Sequence, residues 1–285
     1  MNYDEKPEKF LKLIFHEVAN VNRYGKTFSC SDYESGKWRA EDFAEYLIEW
    51  LPEFALKFSE FESFNGPTGR KLLKKAARSV YTSIKKENRG EFGEILLHAL
   101  VREHFNSKPA ISKVFYKTST NDTVKGFDAV HLVEFENDYE LWLGEAKFYS
   151  DYKRAINDVV GEIEQHLNNG FLRDEFMFVE GKIDDKWELA KKFKDLVSNR
   201  ISMDDIKKRI CIPILITYNT DLYNKYTVFN EEFKTDVLNE CNKAFGILEE
   251  KCQGINVKLH VFLVPLGNKQ ELVSCADKKL KGLQA

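Results

Sequence analysis

The hydrophobic positions of this chain change period along its length. Residues 8 to 22 and 38 to 61 carry Phe, Tyr, Leu and Trp at helical spacing, with Pro52 placed to break or kink the second segment. Asn65-Gly66-Pro67-Thr68-Gly69 gathers turn formers and reads as a loop and a module boundary. The pattern thus predicts a helical N-terminal region, 1–66, and a second domain, 67–285. In the second part helical stripes alternate with short β-branched and aromatic runs. They predict helix 89–105, strands 111–117, 125–135 and 139–148, helix 151–169, strand 209–217, helix 230–252 and strand 256–265. Residues 171 to 208 read as mostly helical. Helix, antiparallel strands, then crossover helix and strand is the order of an α/β fold with a mixed central β-sheet flanked by helices.

One hairpin within this pattern carries chemistry. In KGFDAVHLVEFENDYELWLGEAKFYSD, residues 125 to 151, two strand-like runs flank the turn-like Glu136-Asn137-Asp138. Alternation puts Glu145 and Lys147 on the face of Leu141 and Leu143, and Asp128 on the face of Val130 and Leu132. Trp142, Ala146 and Phe148 line the other face. Both strands are apolar on both faces except where Asp128, Glu145 and Lys147 meet. A Glu-x-Lys on a strand is ordinarily a solvated face with a cross-strand ion pair; apolar neighbours on the same face point instead to a site.

A third acid strengthens that reading. Glu94, in RGEFGEILLHALVREHF (89 to 105), stacks at helical spacing with His98, Val101 and Phe105, and Glu91 is a weaker neighbour for the same role. Buried carboxylates need a cation or a donor. Hydrolysing a phosphodiester needs a cation that neutralises the phosphate and lowers the pKa of the attacking water. Mg²⁺ takes one or two carboxylates with water and phosphate oxygens. Asp128, Glu145 and Glu94 are accordingly the candidate metal ligands, for Mg²⁺ with Mn²⁺ able to substitute, and Lys147 the candidate cation facing the phosphate.

Residues 70 to 89 hold eight basic residues and one acid, Glu87. On a helix Lys71, Lys75, Arg78, Lys85 and Arg89 form one stripe, opposite Leu73, Ala76, Ala77, Val80 and Ile84. The stripe is either a solvated face or a surface for a nucleic-acid backbone or a partner.

Composition narrows the classes. Of 285 residues, 31% are charged and 43% hydrophobic, as in ordinary globular proteins, and the net charge of −3 excludes a binder that relies on overall positive charge. Five scattered cysteines without C-x-x-C spacing suit reduced thiols, not a disulfide framework or zinc site. The opening MNYDEKPEKF has no apolar signal core, and no run is long enough to span a bilayer, so a cytoplasmic protein is expected. The six histidines form no H-x-x-x-H pair, and His131 reads as a satisfied core histidine. Neither a Walker-type loop nor a G-x-S-x-G elbow is present, so any use of ATP falls to another subunit.

Helix Glu94, strand Asp128 and Glu145-x-Lys147 together resemble the PD-(D/E)xK nuclease superfamily, with Gly126-Phe127-Asp128 where that family has Pro-Asp. More narrowly, GEILLHALVREHF, KGFDAVHLV and LWLGEAKFYSDYKRAI resemble the HamA nucleases of the Hachiman anti-phage system. The resemblance is firm from 89 to about 170, looser beyond and thin before. It implies a metal-dependent DNA nuclease acting in a bacterial defence complex with a HamB-like superfamily 2 helicase. It also points to Gln165, on the following helix where some members place a functional Gln, although an exposed polar residue is the simpler reading. A stand-alone restriction or repair endonuclease and a catalytically silent binding subunit are the alternatives.

Overall fold

The computed structural model describes residues 5–18, 24–80, 90–112, 126–135 and 138–285. Its N-terminal part opens on two strands, β1 (Lys12–Glu17) and β2 (Tyr24–Cys30), and a small ribbon, β3 (Tyr33–Glu34) with β4 (Lys37–Trp38). The helix expected over 8–22 is therefore not formed where the chain is described. Lys12–Glu17 pairs antiparallel with β2 at the sheet edge, where Phe15 packs against Phe28. A short apolar run does not distinguish helix from strand, and an adjacent sheet edge with open hydrogen-bonding groups decides it.

Helices follow: α1 (Ala40–Glu49), α2 (Leu51–Ala55), α3 (Phe58–Glu62) and α4 (Gly66–Val80). Pro52 lies in the first turn of α2, where its missing N–H costs nothing. The loop expected at 65–69 is instead the start of α4. Asn65 accepts a hydrogen bond from Thr68 N at 3.2 Å, and Pro67 again sits in a first turn. The residues that look like punctuation are a capped helix N-terminus.

Next come α5 (Gly90–His104), β5 (Ser107–Ser112), β6 (Ala129–Phe135) and β7 (Asp138–Phe148). The rest of the strand expected over 111–117 lies outside the described residues, as do Glu136 and Asn137 of the turn. Then follow α6 (Tyr152–His166), α7 (Asn169–Glu180), α8 (Ala190–Leu196), α9 (Met203–Lys207), β8 (Ile210–Asn219), α10 (Leu222–Lys225), α11 (Glu231–Lys251) and β9 (Lys258–Leu266). A last helix, α12 (Lys269–Gln284), was not anticipated by the hydrophobic pattern.

The seven long strands form one mixed sheet in the order β1-β2-β9-β8-β7-β6-β5. β2, β9, β8 and β7 run parallel, with antiparallel partners at both flanks. Each face is covered by helices. On one side Val130, Leu132, Leu141, Leu143, Ile214 and Ile216 pack under α6, α7 and α11. On the other Trp142, Phe148, Leu215, Phe262 and Val264 pack under α1, α4, α5 and α12. Alternation along β7 is as the sequence predicted, with Leu141 and Leu143 on one face and Trp142 and Phe148 on the other.

Two glycines set how closely α5 lies on β7. A Cβ on Gly93 would stand 2.6 Å from the Cβ of Phe148, and one on Gly144 2.8 Å from Leu97 Cδ2. No larger residue fits at Gly93 without moving backbone. Behind this contact a buried network ties α2 to α5: Arg102 Nε donates to Glu53 Oε1 at 2.6 Å, and His98 Nε2 lies 3.0 Å from the same oxygen. His131 is buried beside His98, with ring centroids 5.1 Å apart. It is a core histidine but not a satisfied one, since neither ring nitrogen has a hydrogen-bond partner among the described residues. Burial holds its pKa well below the usual histidine value, so the ring stays neutral.

Candidate active site

Because β7, β8 and β9 are parallel, the loops leaving them open at the same end of the sheet. That end of an α/β sheet is where ligands generally bind. Here it holds a cleft of about 710 Å³ lined by residues from five parts of the chain, including Glu94, Asp128, Glu145, Lys147, His166 and Lys269. All four sequence-predicted site residues of the hairpin and of α5 are brought to this cleft.

The hairpin register explains their convergence. Ala129 pairs with Gly144, and Asp128 N–H donates to Gly144 O at 2.8 Å, which sets Asp128 across from Glu145. Asp128 Oδ2 in turn accepts from Ala146 N–H at 2.8 Å, fixing that carboxylate against the Glu145-Ala146-Lys147 segment. Gly126, two residues earlier, takes φ +153°, a conformation that side-chain-bearing residues rarely adopt. The approach to Asp128 therefore needs a glycine, which accounts for Gly126-Phe127-Asp128. Glu94 comes from the opposite face of the sheet, on the first turns of α5, and reaches the cleft past the Gly93–Phe148 contact. Glu91 does not line it.

Glu145 and Lys147 are both buried, and both are held by α6. A 2.6 Å hydrogen bond joins Glu145 Oε1 to His166 Nδ1, and Lys147 Nζ donates to Glu162 Oε2. Glu162 and His166 are one helical turn apart, while Ala155, Ile156, Val159 and Ile163 pin α6 to the sheet. His166 stacks on Phe171 at 4.5 Å and meets the edge of buried Phe127 at 5.0 Å, so its ring is locked in place.

Electrostatics follow from this packing. Burial pushes the Glu145 carboxyl up to about 7, with the nearby Asp128 charge adding to the rise and His166 and Lys147 opposing it. Burial would lower Lys147, but Glu145, Glu162 and Asp128 outweigh it and hold the ammonium above its usual pKa. Burial likewise works against a charged His166, and Glu145 more than compensates. Glu145 and His166 thus share a proton near neutrality, and Lys147 is a cation.

Two carboxylates that repel one another in a desolvated cleft, with hard oxygen donors, fit a divalent cation such as Mg²⁺. Among the described residues no three His, Cys, Asp or Glu side chains stand ready as a metal-holding set. Asp128 and Glu145 are the adjacent pair, and Glu94 belongs to the same cleft.

Other expected residues fall elsewhere. Lys71, Lys75 and Arg78 are exposed on α4 above buried Ala76, Ala77 and Val80, so the stripe is real, but none of the three lines the cleft. Lys75 pairs with Glu60, and Arg78 reaches Gln284 O at 3.4 Å. Lys85 and Arg89 lie outside the described residues. Gln165 is exposed and yet lines the cleft. The hydrophobic pattern missed Glu162, His166, Arg154 and Lys269. An acid and a histidine four apart on the helix after a Glu-x-Lys strand could have flagged the first two; Lys269 carries no local signal.

The fold and site define an α/β/α protein whose acid–lysine cleft lies at the carboxyl ends of parallel strands. This chain belongs to the HamA family, whose sequence model matches residues 8–280. It is also 22% identical over 257 residues to Anti-bacteriophage protein A of Escherichia coli (strain K12), an alignment covering 87% of this chain and 46% of that protein. The chain thus spans about half the length of that curated relative. No helix among the described residues is long and apolar enough to cross a membrane.

Proposed function

We propose that this chain is a metal-dependent nuclease that hydrolyses DNA phosphodiesters as an effector of anti-phage defence. The observation that carries the reading is the convergence of Asp128, Glu145 and Lys147 in one cleft, with Glu94 at its edge. Membership of the HamA family and similarity to a protein named for action against bacteriophage support the defence setting. The superfamily suggested by the motif, PD-(D/E)xK, is part of this proposal.

Asp128 and Glu145 would hold Mg²⁺ or Mn²⁺, with Glu94 completing the acidic side of the site. The ion, when bound, neutralises the phosphate and makes water a better nucleophile. Lys147 faces the non-bridging phosphate oxygens and counters the charge that builds on them. Asp128 stays oriented through Ala146 N–H, without reorganisation as substrate enters. Glu145 would hold the ion in its ionised form, with the shared proton kept on His166, and a phosphate would take the place of Glu162 at Lys147.

In the ground state these two groups are occupied by α6 side chains, which favours a site that rests until it is engaged. A helicase partner of the HamB kind would supply that engagement, and the basic face of α4 offers a surface for it or for a DNA backbone. The test incubates the purified protein with supercoiled and linear DNA in Mg²⁺, Mn²⁺ or EDTA, beside Asp128→Ala and Lys147→Ala. Metal-dependent cleavage lost in both variants is expected. Continued silence of the wild type after addition of the helicase, ATP and free-ended DNA would remove the nuclease reading in favour of a silent binding subunit.

A further inference from the structure

Lys269 is unusual in this molecule. It is 7% exposed, at the first turn of α12, and its ammonium lies over the rings of Phe148 and Tyr149 at 5.2 and 6.0 Å. Among the described residues no carboxylate pairs with it. Buried cations are normally paired or bound to an anion; here the described residues offer the ammonium two aromatic rings, and the residue opens on the cleft. The side chain lines the cleft, as do Arg154 and Gln270. Its place is set by topology: Phe148 and Tyr149 directly follow Lys147, and Asn219 at the end of β8 accepts from Lys269 N–H at 2.8 Å.

The backbone donors of α12 are not the attraction. Asn268 caps the helix by accepting from Gln270 N–H at 2.9 Å and Glu271 N–H at 3.1 Å. Lys269 lines the cleft together with Arg154 and Gln270, both exposed residues. Burial and the neighbouring Arg154 charge both lower the Lys269 pKa, and the Asp158 carboxylate lies 3.9 Å from Arg154 Nε.

We infer that Lys269, with Arg154 and Gln270, forms a second phosphate position in the cleft, which takes a DNA backbone phosphate beside the one facing Lys147. This deepens the nuclease reading and rests on it. An anion there neutralises the cation pair without touching Asp128 or Glu145, and it would fix the strand's register in the cleft without reading bases.

The experiment measures binding of a fluorescein-labelled duplex oligonucleotide to the full chain by anisotropy in EDTA, across a salt series. Lys269→Gln is expected to weaken binding about tenfold near 0.1 M salt and to lower the log–log salt slope by about one. Lys269→Arg should restore most of the loss. Arg154→Gln, at an exposed position that does not threaten folding, should weaken binding in the same sense. Unchanged affinity and slope in both Gln variants, or no duplex binding by the wild type at any salt, overturns the inference. Because EDTA prevents cleavage, the nuclease reading fails separately, through a wild type that stays silent in Mg²⁺ with helicase, ATP and free-ended DNA.

Discussion

Replacing Gly93 by Ala should separate stability from activity. The new methyl carbon would lie 2.6 Å from Phe148 Cβ and 3.5 Å from Phe148 Cα, against roughly 3.5–4.0 Å for an ordinary carbon–carbon contact. Phe148 cannot yield, because its Cβ is bound to the backbone of β7, which at this point pairs with Thr217 of β8. α5 must therefore retreat by about 1 Å. Overpacking of this kind costs about 1–3 kcal/mol, and the better helix propensity of Ala returns about 1 kcal/mol. The net loss is about 0–2 kcal/mol, a few degrees in the thermal midpoint of a domain this size. Glu94 is the next residue and moves with the helix. A displacement of about 1 Å at a positioned group lowers turnover on the order of a hundredfold. Gly246→Ala is the control, since nothing lies within 4 Å of its added Cβ on α11, and it should be neutral or stabilising by up to about 1 kcal/mol. Thermal unfolding and metal-dependent DNA cleavage on all three proteins make the comparison. A Gly93→Ala protein as stable and as active as the Gly246→Ala control would refute the packing argument. Lost stability with full cleavage would remove Glu94 from the site.

Two further outcomes follow from buried charges. Glu145 and His166 both hold protons to higher pH in the folded chain than in the unfolded one, so the folded state binds more protons between the ordinary carboxylate range and about 7. Stability in EDTA should accordingly fall as pH rises through neutrality, while Mg²⁺, which needs the ionised carboxylate, should stabilise more as pH rises; flat midpoints across pH 5.5–8 in EDTA would contradict this. At the other end of the sheet, Glu53→Ala strands Arg102 and His98 in the core and should cost about 3–5 kcal/mol in urea unfolding, with a loss under about 1 kcal/mol showing that the network is dispensable. Burial acts to raise the Glu53 pKa, but His98 and Arg102 outweigh it and depress it, so this stabilisation is present near neutral pH and fades as acid protonates the carboxylate.

Much of the candidate site is legible in the sequence. Glu145 and Lys147 are two apart on a strand, and period-two alternation alone puts them on one face with Leu141 and Leu143. Asp128 needed one more step, the hairpin pairing, and the strand pattern supplied it. The rear strands and the helices at 90–104, 152–166 and 231–251 lie close to where the hydrophobic period placed them. The first strand was misread because Phe10, Leu13, Ile14 and Phe15 satisfy a helical stripe as well as an edge strand, and only the neighbouring β2 settles which hydrogen bonds form.

Local pattern thus determined what one hairpin and one helix could carry: two acids and a lysine on a β-hairpin, with a third acid on the helix before it. Tertiary structure alone decided what meets them. His166 and Glu162 reach Glu145 and Lys147 because α6 folds back across the sheet, and Lys269 arrives from the far end of the chain because β7, β8 and β9 run parallel and open at one end. Periodicity is a property of neighbours in sequence, set by backbone geometry every two or 3.6 residues. Strand order and helix crossing are set by burial of whole faces, and no short window of the chain contains that information.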